Sequence, residues 1–160
     1  MKRPVLLLVA ALLGVSACGT RYIGNTRIED TDENRAILRV VEQYRRAVED
    51  RDVERVLSLT SDRYFEDPGT PHNPADDYDK AGLRERLVSS FAKVQEQRLT
   101  IDARRVELNE DENEATVDYR FDFRYRLDLP QAGGQWREQN DLNRLEVRLE
   151  GEDWKIVSGL

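Results

Sequence analysis

Cysteine and histidine are almost missing from this chain. Of 160 residues one is cysteine, Cys18, and one is histidine, His72. A lone thiol can neither close an internal disulfide nor build a thiolate cluster, and a lone imidazole rules out His-based zinc or iron sites. No metal or other cofactor is therefore expected. A basic surplus is missing too: 25 Lys and Arg face 32 Asp and Glu, a formal net charge of −7. Without the first seventeen residues Lys2 and Arg3 are lost, so 23 basic residues face 32 acidic ones, or −9. Phosphate binding needs a basic stripe, so nucleic acid is excluded as a partner, and the acidic balance reads as soluble surface. The apolar run Val5 to Val15 is too short to span a bilayer, which takes about 20 residues as a helix. No internal repeat is visible.

What the chain does have is an alternating stretch, Ala115 to Leu129. Val117, Tyr119, Phe121, Phe123, Tyr125, Leu127 and Leu129 are apolar or aromatic, and every even position from Asp118 to Asp128 is charged. A period of two means a strand with one buried and one wet face. At roughly 3.3 Å per residue it would reach about 50 Å if straight. A chain of this size has a radius of gyration near 14 Å, so the strand must bend. A bent sheet offers a concave apolar face that something has to cover.

The cover precedes it. Thr31 or Asp32 caps a helix whose Ala36, Ile37, Val40, Val41, Tyr44, Ala47 and Val48 form one apolar stripe ending near Asp50. Asp52 caps a short second helix with Val53, Val56, Leu57 and Leu59 inward. Tyr64-Phe65 begins an extended piece, and the Pro-rich run Asp67 to Pro74 is a loop. Asp79 caps a third helix, with Leu83, Leu87, Val88, Phe91 and Val94 as its buried stripe. Strands start at Leu99; a phase slip at Arg104-Arg105 predicts a bulge. Asn109 to Asn113 is a turn and Pro130 to Gln135 a hairpin loop. Leu142 falls out of phase with Leu145, Val147 and Leu149, which predicts a second bulge at Leu142-Asn143. A short last strand covers Trp154 to Leu160.

The first residues have the three parts of a secretory signal: basic Lys2-Arg3, the apolar run, then small Ser16 and Ala17. Val15-Ser16-Ala17-Cys18 resembles the lipobox of bacterial lipoproteins. That resemblance implies a signal over 1–17, acylation of Cys18 by several chains, and a flexible tether over 18–31. It places the chain in the cell envelope, and Gly19 after Cys18 favours the periplasmic face of the outer membrane.

Three helices followed by a curved antiparallel sheet make an α+β architecture. Val41 to Asp67 (VEQYRRAVEDRDVERVLSLTSDRYFED) and Arg148 to Gly159 (RLEGEDWKIVSG) resemble the NTF2-like superfamily, in particular its SnoaL-like and nuclear-transport-factor-like members. The resemblance implies a cone over residues 32–160, with helices closing over the concave sheet and a pocket at the open end. It includes steroid isomerases, dehydratases, cyclases and transport adaptors, so fold alone does not assign function.

Candidate pocket residues are Tyr44, Tyr64, Tyr119, Phe121, Phe123, Tyr125 and Trp136. By the resemblance, Tyr44 could donate a hydrogen bond to a developing oxyanion. The same aromatic stripe can equally be plain core, in which case Phe121→Ala should cost about 3–5 kcal/mol. An isomerase also needs a general base. The inward face from Val117 to Leu129 has no carboxylate, which leaves Asp67, His72 and Asp141 as candidates. The charged row is read as the wet face of the sheet; a homodimer through it is the alternative. The chain is thus expected to be a membrane-anchored binding or interaction module for a small apolar ligand or an envelope protein. The alternatives are a small-molecule isomerase, dehydratase or hydrolase, or an accessory subunit with a filled core.

Overall fold

A computed structural model describes residues 20–68, 76–127 and 134–160. Cys18 and His72 lie outside the described residues, as do Asp128 and Leu129.

Three helices come first. In α1 (Asp32–Glu49) the Thr31 hydroxyl accepts a hydrogen bond from the Asn34 amide at 3.1 Å, and Asp32 and Glu33 sit at the positive end of the helix dipole. In α2 (Val53–Ser58) Asp52 accepts from the Arg55 amide at 2.9 Å. Asp79 caps α3 (Lys80–Phe91) by accepting from the Ala81 and Gly82 amides, both at 3.0 Å. Between α2 and α3, β1 (Phe65–Glu66) and β2 (Tyr78–Asp79) form a small antiparallel pair. Then β3 (Val94–Leu108), β4 (Glu114–Leu127), β5 (Gln135–Glu150) and β6 (Asp153–Ser158) make one antiparallel sheet in that order.

Parity decides what the sheet buries. On β4 Val117 and Tyr119 are buried, opposite Leu145 and Asn143 of β5. Ile37, Val40 and Val41 of α1, Leu57 of α2 and Leu83 of α3 close over them, with Trp154 and Ile156 of β6. The even row carries cross-strand ion pairs, Arg144–Asp118 at 2.6 Å and Arg148–Glu114 at 2.7 Å. Exposed as they are, such pairs contribute little beyond solubility. The expected bulge is present, as a register shift between Ala103 and Arg105 against β4.

Four expectations are corrected. The stretch expected as a flexible tether folds back on itself over residues 21–30: Tyr22 pairs with Glu29, the Asp30 amide donates to the Arg21 carbonyl at 2.8 Å, and Ile28 is buried. The Thr26 hydroxyl donates to the Ile23 carbonyl at 2.7 Å and shapes the turn, so one apolar residue without any period docks this segment. In α3 only Leu83 is buried; Val88 is 53% exposed and Val94 already belongs to β3. There is no bulge at Leu142-Asn143, since β4 and β5 pair without a shift from Glu114↔Arg148 to Leu127↔Gln135. Leu142 simply stands on the outer face, and the shift lies at Glu146/Val147 against β6. Finally, the stripe on β4 is core only at its first half: Phe121, Phe123 and Tyr125 are half-buried.

Candidate functional site

A cavity of about 150 Å³ lies where the buried half of β4 gives way to the half-buried one. Helix α1 supplies Tyr44 and Val48, β3 supplies Leu99 and Ile101, and β4 supplies Tyr119, Phe121 and Phe123. Asn143 of β5 and the segment after β6, Gly159 and Leu160, complete the wall. Three larger depressions, of about 470, 590 and 500 Å³, are lined mainly by charged and polar surface residues.

The polar groups at this cavity are few and specific. The Asn143 side-chain amide donates to the Tyr119 hydroxyl at 3.1 Å and to the Gly159 carbonyl at 3.2 Å. Its carbonyl oxygen accepts from the Arg144 amide at 2.8 Å, so the side chain is held at both ends. Tyr119 therefore accepts, and among the described residues nothing takes its own proton. Tyr44 makes no hydrogen bond among the described residues either, although its ring is packed in the roof. Burial pushes the Tyr44 phenol well above the usual range, with the neighbouring Tyr119 and Tyr78 phenols adding to it. Burial raises Tyr119 as well; the Asn143 hydrogen bond opposes this, and the charge of Glu66 reinforces it. Both groups are neutral O–H donors at any physiological pH.

Behind the wall a second cluster holds the chain in place. One Glu66 carboxylate oxygen accepts from the Tyr64 hydroxyl at 2.9 Å, the Gly159 amide at 2.5 Å and the Leu160 amide at 3.3 Å. The Tyr78 hydroxyl donates to the Leu160 carbonyl at 2.5 Å. Burial, then the hydrogen bond to Glu66, keep Tyr64 protonated far into alkali.

Of the residues expected at a pocket, Tyr44, Tyr119, Phe121 and Phe123 come together here. Tyr64 does not: it is fully buried and its hydroxyl is spent on Glu66. Tyr125 stacks on Phe123 at 5.1 Å between centroids, one step outside the wall. Trp136 is 51% exposed, because the unshifted register puts it on the even, outer row opposite Arg126. Asp141 shares the inner face with Phe121 but is exposed, its carboxylate accepting from the Leu142 amide at 2.7 Å. Asp67 is also outside the wall; its charge acts on Asp77, whose carboxyl is raised by burial and then by Asp67 and Asp76. No carboxylate or imidazole lines the cavity among the described residues. Nor do three acidic, Cys or His side chains gather there or elsewhere among them as metal ligands would. Asn143, Glu66 and Gly159 were not expected at the site. Asn143 could have been found, since it has the parity of buried Leu145.

No protein-family model matches the sequence, and no curated protein does. Solved structures do resemble the fold. A ketosteroid isomerase-like protein from Erwinia carotovora atroseptica superposes with a TM-score of 0.64 at 17% identity, over 81% of this chain and 94% of that one. A superfamily protein described as nuclear transport factor 2-like, from Salmonella enterica, gives 0.65 at 13% identity over 79% and 87%. A hexachlorocyclohexane dehydrochlorinase gives 0.63 at 14% over 79% and 81%. At such identities the likeness is one of fold: helices closed over a curved antiparallel sheet, the NTF2-like cone.

Proposed function

We propose that this chain, an NTF2-like cone, takes up a small, largely apolar molecule carrying one acceptor oxygen. The observation that carries this is the pair of phenols, Tyr44 and Tyr119, whose protons are uncommitted among the described residues at a cavity that is apolar apart from them and the Asn143 amide. An apolar cavity of about 150 Å³ is enough for a benzene-sized ring. A carbonyl or ether oxygen would satisfy one or both O–H groups, each worth about 0.5–1.5 kcal/mol net. Acetophenone should therefore bind about three- to tenfold more tightly than α-methylstyrene, the hydrocarbon of the same shape, in a calorimetric titration. The preference should vanish in Tyr44→Phe combined with Tyr119→Phe. Equal affinity for the two probes in the unaltered protein would refute the reading.

Anchoring through acylated Cys18 is part of the same proposal, supported by the basic start Lys2-Arg3, the apolar run Val5 to Val15 and Val15-Ser16-Ala17-Cys18. It would present the cone, and any envelope protein it engages, at the membrane surface. Cys18→Ser should then move the protein from the membrane fraction to the soluble one.

A second reading is favoured by the kind of proteins that share the fold, several of them isomerase-like or dehydratase-like. Two neutral donors at one cavity can stabilise an oxyanion as it forms. Proton abstraction further needs a base, and Asp67, His72 and Asp141 are its candidates. Deuterium uptake at the methyl group of acetophenone in D₂O, followed by NMR, decides between the readings. Uptake faster than without protein supports catalysis; an unchanged rate leaves binding.

A further inference from the structure

The longest strand is only partly partnered. Of β5, residues Glu146 to Glu150 pair with β6, whereas Gln135 to Asn143 have β4 on one side and no strand on the other among the described residues. Every residue from Gln135 to Arg144 is exposed. The Leu142 and Arg144 amides donate to the side-chain oxygens of Asp141 and Asn143, at 2.7 and 2.8 Å. The even-numbered N–H groups thus point away from β4, out along a free edge. Such an edge is a template for another strand.

We propose that the strand it takes is its own counterpart in a second copy of the chain, antiparallel and centred on Gln139. In that register Arg137 faces Asp141 of the second copy, and Asp141 faces its Arg137. Trp136 likewise faces Leu142 of the second copy, and the reverse. These two are the exposed large apolar residues of β5, 51% and 72% exposed, and parity puts both on the outer face. The even residues form the hydrogen-bonded pairs, so each Leu142 amide passes from its own Asp141 to the Trp136 carbonyl of the second copy. The odd residues form the closer, non-hydrogen-bonded pairs, and the carboxylate so released meets Arg137 there. Sliding the centre to residue 138 puts Arg137 opposite Gln139 and Trp136 opposite Asn140. Sliding it to 140 puts Arg137 opposite Asn143 and Trp136 opposite Arg144. Only the register centred on Gln139 pairs both charge with charge and apolar with apolar. The result is one eight-stranded sheet across two copies. The charged row of β4 plays no part in this contact.

The test uses the full chain in mild detergent, by sedimentation. The unaltered protein should sediment as a dimer at micromolar concentration. Arg137→Glu alone and Asp141→Arg alone should each weaken the dimer by about tenfold or more, and the two together should restore it, because the charges have only changed places. A Gln139→Cys chain carrying Cys18→Ser should oxidise rapidly to a disulfide-linked dimer, since its own counterpart would lie about 4.5 Å away between Cα atoms. Trp136→Cys on the same background should not, its counterpart being about 20 Å off. A monomer, a double reversal no better than the single ones, or a Gln139→Cys chain that cross-links no faster than Trp136→Cys would each overturn the proposal.

Discussion

Replacing Gly159 by alanine tests how the far wall of the cavity is held. Gly159 has φ +96°, a region that L side chains rarely adopt. An added Cβ would stand 2.0 Å from the Arg144 carbonyl oxygen and 3.0 Å from the Leu145 Cα. Those are backbone atoms of a strand whose Leu145 is wholly buried, so they cannot give way. The segment of Gly159 and Leu160 must swing out instead. Four principal hydrogen bonds then go: two to Glu66, one from Asn143 to the Gly159 carbonyl and one from Tyr78 to the Leu160 carbonyl. Two long contacts between Leu160 and the Tyr64 hydroxyl, at 3.3 and 3.4 Å, are lost beside them. Each contributes about 0.5–1.5 kcal/mol net, and the freed groups can reach water, so the low half of that range applies. The expected loss is about 2–4 kcal/mol, because undocking relieves the backbone strain at the same time. Urea unfolding followed by tryptophan fluorescence reads it as a lower midpoint at unchanged slope. A loss below about 0.5 kcal/mol would refute the reasoning, since the clash would then have found a cheaper way out.

Leu145→Ala, at a wholly buried position under the roof, should cost about 2–5 kcal/mol in the same assay. Phe121→Ala should cost only about 1–2 kcal/mol, because its ring is half-buried at the cavity; the full 3–5 kcal/mol would mean that the hollow is closed. Thr31→Ala removes the cap on the Asn34 amide and should cost about 1 kcal/mol. Tyr44, Tyr64, Tyr78 and Tyr119 all hold their protons above the ordinary phenol value of 10.0. A raised acid stabilises the fold fully below the unfolded value and loses that contribution as pH rises above it, because the unfolded chain ionises first. Stability should therefore fall above about pH 10, with these tyrosines ionising together as circular dichroism is lost. Their ionisation in a chain that stays folded would contradict the burial.

The elements that sequence revealed are those written in local chemistry. Thr31, Asp52 and Asp79 each stand one residue before a helix, and an oxygen at that place can satisfy an amide that the helix cannot. The parity of β4 and the slip at Arg104-Arg105 were legible because a strand has only two faces. What stayed hidden depends on contacts distant in sequence. Ile28 is one apolar residue in a polar stretch, and nothing local says that the chain folds back. The apolar residues of α3 suggested a buried stripe, but only Leu83 is fully covered; Leu87 and Phe91 pack partly buried at the edge of the core, and Val88 faces solvent. Tyr64 and Trp136 are aromatic like the pocket residues, but one is tied to Glu66 and the other stands on the wrong row.

The hollow itself has a cause that both strands must be read to see. On β5 the inner row runs from Val147 and Leu145, both buried, to Asn143, Asp141, Gln139 and Arg137, all exposed. Opposite them β4 remains aromatic through Phe121, Phe123 and Tyr125. Phe121 and Phe123 have apolar neighbours on β3, Ile101 and Leu99, while Tyr125 meets Gln97 there; all three face polar residues on β5, and Phe123 and Tyr125 turn onto each other. The core is therefore left unfinished at the point where Tyr119 meets Asn143. A molecule lodged there would supply the missing apolar contact and give the two phenols an acceptor. Binding to the folded chain alone, it would raise stability by about 2.7 kcal/mol at a hundred times its dissociation constant. Acetophenone should do this in the unaltered protein and fail once Phe121→Trp fills the space. A stabilisation of equal size in both chains would place its binding somewhere other than this cavity.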